Sequence, residues 1–94
     1  EELLDPQAGH PEIVILDMSR LVQLDTSGLE GLENLREKLA RRGCTLLLCG
    51  LNSQPGSLLY RAGFIDHLGD DNVCLDLNQA LNRARQLLPD LSGN

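Results

Sequence analysis

Residues 13–29 read IVILDMSRLVQLDTSGL, an apolar run followed by a mostly polar connection and the expected start of a helix. Its first four residues form an unbroken, mostly β-branched apolar run, which predicts a strand buried on both faces of a parallel sheet. Asp17 closes that strand, and a loop then leads to Asp25–Gly28, where a helix is expected to begin. Since α/β folds place their sites in loops that follow parallel strands, function is expected in this loop.

A long amphipathic helix is expected directly after the loop. Ser27 is followed three residues later by Glu30, which matches a capping box and predicts that Ser27 is the N-cap. Gly43, preceded by two arginines, is typical of a helix end. Between these signals, leucines recur at helical spacing with charged residues on the other faces; they are Leu29, Leu32, Leu35 and Leu39.

Two further strands and two further helices are expected downstream. Thr45–Cys49 repeats the pattern of a buried strand, and Val73–Leu75 is a shorter third strand. A short helix is expected from about Pro55 to Ala62, with Gly63 ending it. The resulting order β-α-β-α-β-α predicts an α/β domain with a parallel sheet and helices on its faces.

The last helix is expected to begin after Asp76, which forms a capping pattern with Gln79, and to stop at Pro89. Its inward face is predicted to contain apolar residues at helical spacing; they are Leu77, Ala80, Leu81, Ala84, Leu87 and Leu88.

Composition excludes several classes of function. The chain has 94 residues and a formal net charge of −6, with 8 basic residues against 14 acidic ones. Phosphate binding depends on clustered Lys and Arg, so nucleic acid is a poor partner. Tyr60 and Phe64 are the only aromatic residues, which leaves no platform for stacking bases. No apolar run approaches the roughly 20 residues that span a bilayer, so this domain is not expected to cross a membrane.

Cysteine and histidine spacing indicates neither a disulfide framework nor a metal site. The three cysteines, Cys44, Cys49 and Cys74, include no CxxC pair, and their odd number fits free thiols in a reducing cytosol. Cys44 and Cys49 flank a leucine run, where a thiol acts as a small buried hydrophobe. His10 and His67 each lie beside loop formers, so surface loops are expected and no metal ligand is assigned.

The segments ILDMS (residues 15–19) and LDTSGL (residues 24–29) closely resemble the signature of the STAS domain, named after sulfate transporters and anti-sigma-factor antagonists. The resemblance continues from Pro11 to Leu88 and is greatest to STAS domains of bacterial SulP anion transporters. It implies a STAS-like fold over residues 12–88, with a helix remnant and linker at 1–11 and a tail at 89–94. STAS domains usually have one or two further strands and a helix before the strand at Ile13, so this chain is expected to lack those amino-terminal strands.

The resemblance implies a non-catalytic regulatory domain of a SulP-type sulfate or anion transporter, on the cytoplasmic side of an inner-membrane protein. Its partner would be the transmembrane domain of the same transporter or a cytoplasmic regulatory protein, and a homodimer through the full-length protein stays open. The implied docking residues are Asp25, Thr26, Ser27 and Gly28. No cofactor is implied beyond weak nucleotide binding, of which STAS domains are suspected.

The alternative is a free-standing anti-sigma-factor antagonist switched by phosphorylation. Ser27 occupies the place of the serine that is phosphorylated in those proteins, but a Ser at an N-cap is also fully explained as structure. Asp25 is similarly explained by hydrogen bonds from backbone N–H groups. An enzymatic or nucleotide-binding fragment is a third class. A hydrolase triad would have to consist of Asp25, Ser27 and His67, but the sequence has no nucleophile elbow such as G-x-S-x-G. No G-x-G-x-x-G follows the first strand, so a dinucleotide site fits poorly as well.

Overall fold

The computed structural model describes residues 13–88 and contains one parallel sheet of three strands in the order β1-β2-β3. The strands are β1 (Ile13–Asp17), β2 (Thr45–Cys49) and β3 (Val73–Cys74). In the register, Ile13 lies opposite Thr45, and Leu48 lies opposite Val73. The predicted α/β class, the parallel sheet and its three strands are therefore confirmed.

Between residues 13 and 88, four α-helices and one 3₁₀ turn connect and cover the strands. They are α1 (Thr26–Arg41), α2 (Ser53–Arg61), α3 (Phe64–Leu68), the 3₁₀ turn (Asp70–Asn72) and α4 (Leu77–Leu87). The long helix α1 is confirmed, and α2 begins two residues before the predicted start at Pro55. Gly63 ends α2 in a left-handed conformation with φ of 81°, as expected. The sequence did not predict α3 or the 3₁₀ turn, because elements this short show no periodicity.

The sheet separates two apolar layers, because successive side chains of a strand point to opposite faces. On one face, Leu46 and Leu48 of β2 pack with α1, α2 and α3 in the larger core, where Leu59 and Phe64 are fully buried. On the other face, Cys49 packs with Ala80 of α4 in a smaller cluster. The larger core also contains Met18 and Leu24, so it holds the loop after β1, in which the predicted site lies.

Two details of burial differ from the sequence predictions. Ile13–Leu16 are half-buried rather than buried on both faces, because within residues 13–88 β1 has a paired strand on one side only. Leu77 and Leu81 were predicted to face inward, but 48% and 40% of their surfaces are exposed. The contact of α4 with the sheet is made through Ala80 and Ala84, whose small side chains give a narrower buried face than predicted.

Cys44, Cys49 and Cys74 are free and buried, and the predicted burial of Cys44 and Cys49 is confirmed. Burial raises the pKa of Cys49 and of Cys74, so both thiols are neutral at neutral pH. His67 lies on α3 rather than in a loop, which corrects its predicted placement. The predicted helix remnant and linker at 1–11 with His10, the helix stop at Pro89, and the tail at 89–94 lie outside the described residues.

Candidate functional site

The loop that follows β1 turns sharply at the carboxyl end of the sheet. The N–H of Ser19 donates a 3.0 Å hydrogen bond to Oδ1 of Asp17. This hydrogen bond is the largest of the effects that hold the pKa of Asp17 below its ordinary value. The hydroxyl of Ser19 and the positive charge of Arg20 lower the pKa further. The N–H of Met18 also donates to the carbonyl of Cys49 at 2.9 Å, which ties the loop to the end of β2.

Two side-chain amides at the start of α2 hold the rest of the loop. Nδ2 of Asn52 donates to the carbonyls of Ser19 and Leu21 at 3.0 and 2.9 Å. Gln54 holds the backbone of Leu24 from both sides: its Oε1 accepts the Leu24 N–H at 2.7 Å, and its Nε2 donates to the Leu24 carbonyl at 3.0 Å. The loop is therefore anchored along its length, as expected of a binding loop on a rigid scaffold.

Asn52 and Gln54 are positioning residues that the sequence analysis missed. A signal for them exists, because both follow the carboxyl end of β2 in the chain. Carboxyl ends of neighbouring parallel strands lie at the same sheet edge, so polar residues after β2 are expected to approach the loop after β1.

Helix α1 is capped by Asp25, and the prediction that Ser27 is the N-cap is wrong. Oδ1 of Asp25 accepts the N–H of Gly28 at 2.9 Å, while the Asp25 carbonyl accepts the N–H of Leu29 at 2.9 Å. Asp is as good an N-cap as Ser, and here it lies at the position whose side chain reaches the third N–H of the helix. Thr26 is thus the first helical residue and Ser27 the second.

Gly28 lets the first turn of α1 pack closely on the loop. A Cβ added at Gly28 would lie 2.6 Å from Cδ1 of Leu24, closer than side-chain atoms approach. Leu24 is buried and held by Gln54, so the close contact fixes the helix start against an anchored residue. This gives Gly28 a structural role within the predicted docking motif.

The structure brings the four predicted site residues together in one turn, and the three that carry side chains, Asp25, Thr26 and Ser27, are exposed. Two apolar side chains of the preceding loop are also exposed, Val22 by 63% and Leu21 by 36%. We call these five residues, Leu21, Val22, Asp25, Thr26 and Ser27, the α1 entry surface. It combines two hydroxyls, one carboxylate and an apolar patch, a mixture typical of protein interfaces.

The structure does not bring Asp25, Ser27 and His67 together as a hydrolase triad. His67 lines a cavity with Thr45, the first residue of β2, whereas Ser27 follows the loop at the opposite end of the sheet. The carboxylate of Asp25 is engaged in capping α1. Within residues 13–88, no three His, Cys, Asp or Glu side chains are grouped to hold a metal ion. No helix in that same range is long and apolar enough to cross a membrane.

The family model described as "STAS domain" matches residues 1–80. Among curated relatives, "Low affinity sulfate transporter 3" of Stylosanthes hamata is 34% identical over 74 residues, which cover 79% of this chain and 12% of the relative. The chain therefore spans about an eighth of that relative's length.

Two solved structures share the fold. A sulfate transporter family protein from Wolinella succinogenes superposes with a TM-score of 0.80 at 30% identity, over 94% of this chain and 75% of that one. The SulP transporter STAS domain from Vibrio cholerae gives a TM-score of 0.77 at 28% identity, over 89% of this chain and 63% of that one.

Proposed function

Because this chain belongs to the STAS domain family, we propose that it is a regulatory, protein-binding domain of a SulP-type sulfate transporter. The similarity to a named sulfate transporter and to a SulP STAS domain supports this proposal. In it, a membrane-spanning region encoded with this chain carries the anion, and the domain lies on the cytoplasmic side of an inner membrane. The domain acts by binding, without catalysis and without a cofactor.

The α1 entry surface is the observation that carries the proposal. It exposes hydroxyl and apolar groups on a loop that Asn52 and Gln54 hold in place. A surface that is already ordered loses little conformational entropy when a partner binds, which favours affinity. The partner is the transmembrane region of the same transporter or a cytoplasmic regulatory protein.

Ser27 is the proposed control point of this surface. Its side chain is exposed on the second residue of α1, where a kinase has access to the hydroxyl. A phosphate there adds a charge of about −1.5 to −2 at a helix amino terminus, which the helix dipole tolerates. The same charge within an interface disrupts docking by desolvation and repulsion. Phosphorylation of Ser27 thus releases the partner while leaving the fold intact.

The test compares binding of three forms of the chain to the detergent-solubilised remainder of the protein. Ser27→Asp is expected to weaken binding at least about tenfold, or about 1.4 kcal/mol, with an unchanged far-UV circular dichroism spectrum. Ser57→Asp is the matched control, because Ser57 is also an exposed helical serine but lies on α2. Equal binding by all three forms would remove the proposed switch.

The transporter assignment has its own test in the gene. Several apolar segments of about 20 residues, encoded in frame with this chain, are expected. A short reading frame without such segments would instead identify a free-standing regulator.

A further inference from the structure

A small cavity of about 160 Å³ lies beside the first residues of β2, between the second half of α1 and α3. This is the opposite end of the sheet from the α1 entry surface. Its polar lining comes from Arg36 of α1, Thr45 of β2, His67 of α3 and Asn72 of the 3₁₀ turn. No aspartate or glutamate from the described part of the chain lines it, although acids outnumber bases 14 to 8 in the sequence.

Arg36, one of the residues that line this cavity, has a polar atom without a hydrogen-bond partner among the described residues. Its Nε atom is buried, and no residue in the range 13–88 accepts a hydrogen bond from it. A buried donor without an acceptor is unfavourable, and more so when it belongs to a charged group. A guanidinium stays charged at any pH at which proteins fold and presents its N–H groups as a planar fork that matches oxyanions.

The neighbouring polar groups favour an acceptor rather than a donor as the occupant. Asn72 is held rigidly, because its Nδ2 donates to the carbonyl of Leu68 at 3.0 Å and its Oδ1 accepts from Nε of Arg83 at 3.0 Å. The hydroxyl of Thr45 can donate a hydrogen bond, as can the ring of His67. Cationic and neutral donors without a competing carboxylate make the cavity locally attractive to anions.

We propose that this cavity binds a small oxyanion, namely a sulfate, phosphate or carboxylate group, with the guanidinium of Arg36 as its principal ligand. A volume of about 160 Å³ corresponds to several water molecules at roughly 30 Å³ each, and it is smaller than pockets for drug-sized molecules. The occupant is therefore a single oxyanion or the anionic end of a larger molecule. This site is separate from the docking function and does not depend on it.

The direct test is an NMR titration of the unmodified chain that follows the Nε–H resonances of arginine. Sodium sulfate, sodium phosphate and sodium acetate are each added against sodium chloride at equal ionic strength. The Arg36 Nε–H and the backbone amide of Thr45 are expected to shift and saturate with at least one oxyanion, and not with chloride. Saturation with sulfate or phosphate alone identifies a tetrahedral oxyanion, and saturation with acetate identifies a carboxylate. Linear shifts that are equal for all four salts would overturn the proposal.

Substitutions give a second, independent readout by the same titration. Arg36→Gln is expected to weaken binding at least about tenfold, or about 1.4 kcal/mol, because it removes the charge and the fork. Arg41→Gln is the matched control, since Arg41 is exposed in the last turn of the same helix, and its binding should equal that of the parent. Equal affinity for Arg36→Gln and the parent would refute the site. Should Arg36→Gln fail to fold, the titration of the unmodified chain still decides the question.

Discussion

Replacing Asp25 by alanine is expected to destabilise the fold, because Asp25 caps α1. The substitution removes the 2.9 Å hydrogen bond from the Gly28 N–H to Oδ1. Loss of an N-cap costs about 1 kcal/mol, and loss of a negative charge beside the helix amino terminus costs a further ~0.3–1 kcal/mol at an exposed site. No acidic residue lies in the first turn of α1 to compensate. The expected total is about 1–2 kcal/mol of unfolding free energy.

Ser27→Ala is the informative comparison, because Ser27 is exposed on the second helical residue and does not cap the helix. Its expected change in unfolding free energy is within about 0.5 kcal/mol. Asp25→Asn should fall between the two, since an amide oxygen keeps the cap but not the charge. Urea unfolding followed by circular dichroism at 222 nm measures all three, and each kcal/mol also lowers Tm by roughly 4–8 °C in a domain of this size. A loss for Ser27→Ala as large as that for Asp25→Ala would refute the assignment of the cap.

Three further outcomes are expected. Gly31→Ala should stabilise the fold by up to ~1 kcal/mol through helix propensity, because an added Cβ meets no atom of residues 13–88 there. Gly28→Ala should stabilise the fold less than Gly31→Ala or destabilise it, because its Cβ would lie 2.6 Å from Cδ1 of Leu24, and matched thermal melts measure the difference. Gln54→Ala should cost about 1–3 kcal/mol in urea unfolding and speed amide exchange at Leu24, and unchanged exchange there would contradict the anchoring role. Carbon NMR should give Asp17 a pKa below the ordinary value of an aspartate, because the Ser19 N–H donates to its carboxylate. A lowered pKa in the folded state stabilises the fold at pH values above the pKa of the unfolded state, so the stability difference between the parent and Asp17→Asn should shrink as pH falls through the folded-state pKa. A pKa at or above the ordinary value would contradict the turn at Ser19.

The elements with clear periodicity or punctuation could be predicted from sequence. The apolar runs of β1 and β2, the leucine spacing of α1 and the Asp76 cap of α4 all correspond to what the structure shows. These signals are local, so they can be recognised in the sequence without knowledge of the tertiary contacts. The STAS resemblance added the fold family, which the match of residues 1–80 confirms.

Features that depend on tertiary contacts could not be predicted. Ser27 and Asp25 are both good N-caps, and sequence alone favoured Ser27 because Glu30 completed a capping box. The structure places the helix start two residues earlier, where the anchored Leu24 brings Asp25 to the first turn. The amide of Gln54 acts 30 residues away from its partner, so no local pattern reveals the contact, and only the place of Gln54 after the carboxyl end of β2 points to it.

The most direct test of the docking surface is amide hydrogen exchange at Thr26 and Ser27, compared between this chain alone and the intact transporter proposed above. The first N–H groups of a helix have no acceptor within the helix, so in the isolated chain these two amides should exchange rapidly. If the α1 entry surface contacts a partner, their exchange should slow at least about tenfold, or about 1.4 kcal/mol, in the intact protein. Unchanged exchange at Thr26 and Ser27, with protection elsewhere on the domain, would contradict the central claim.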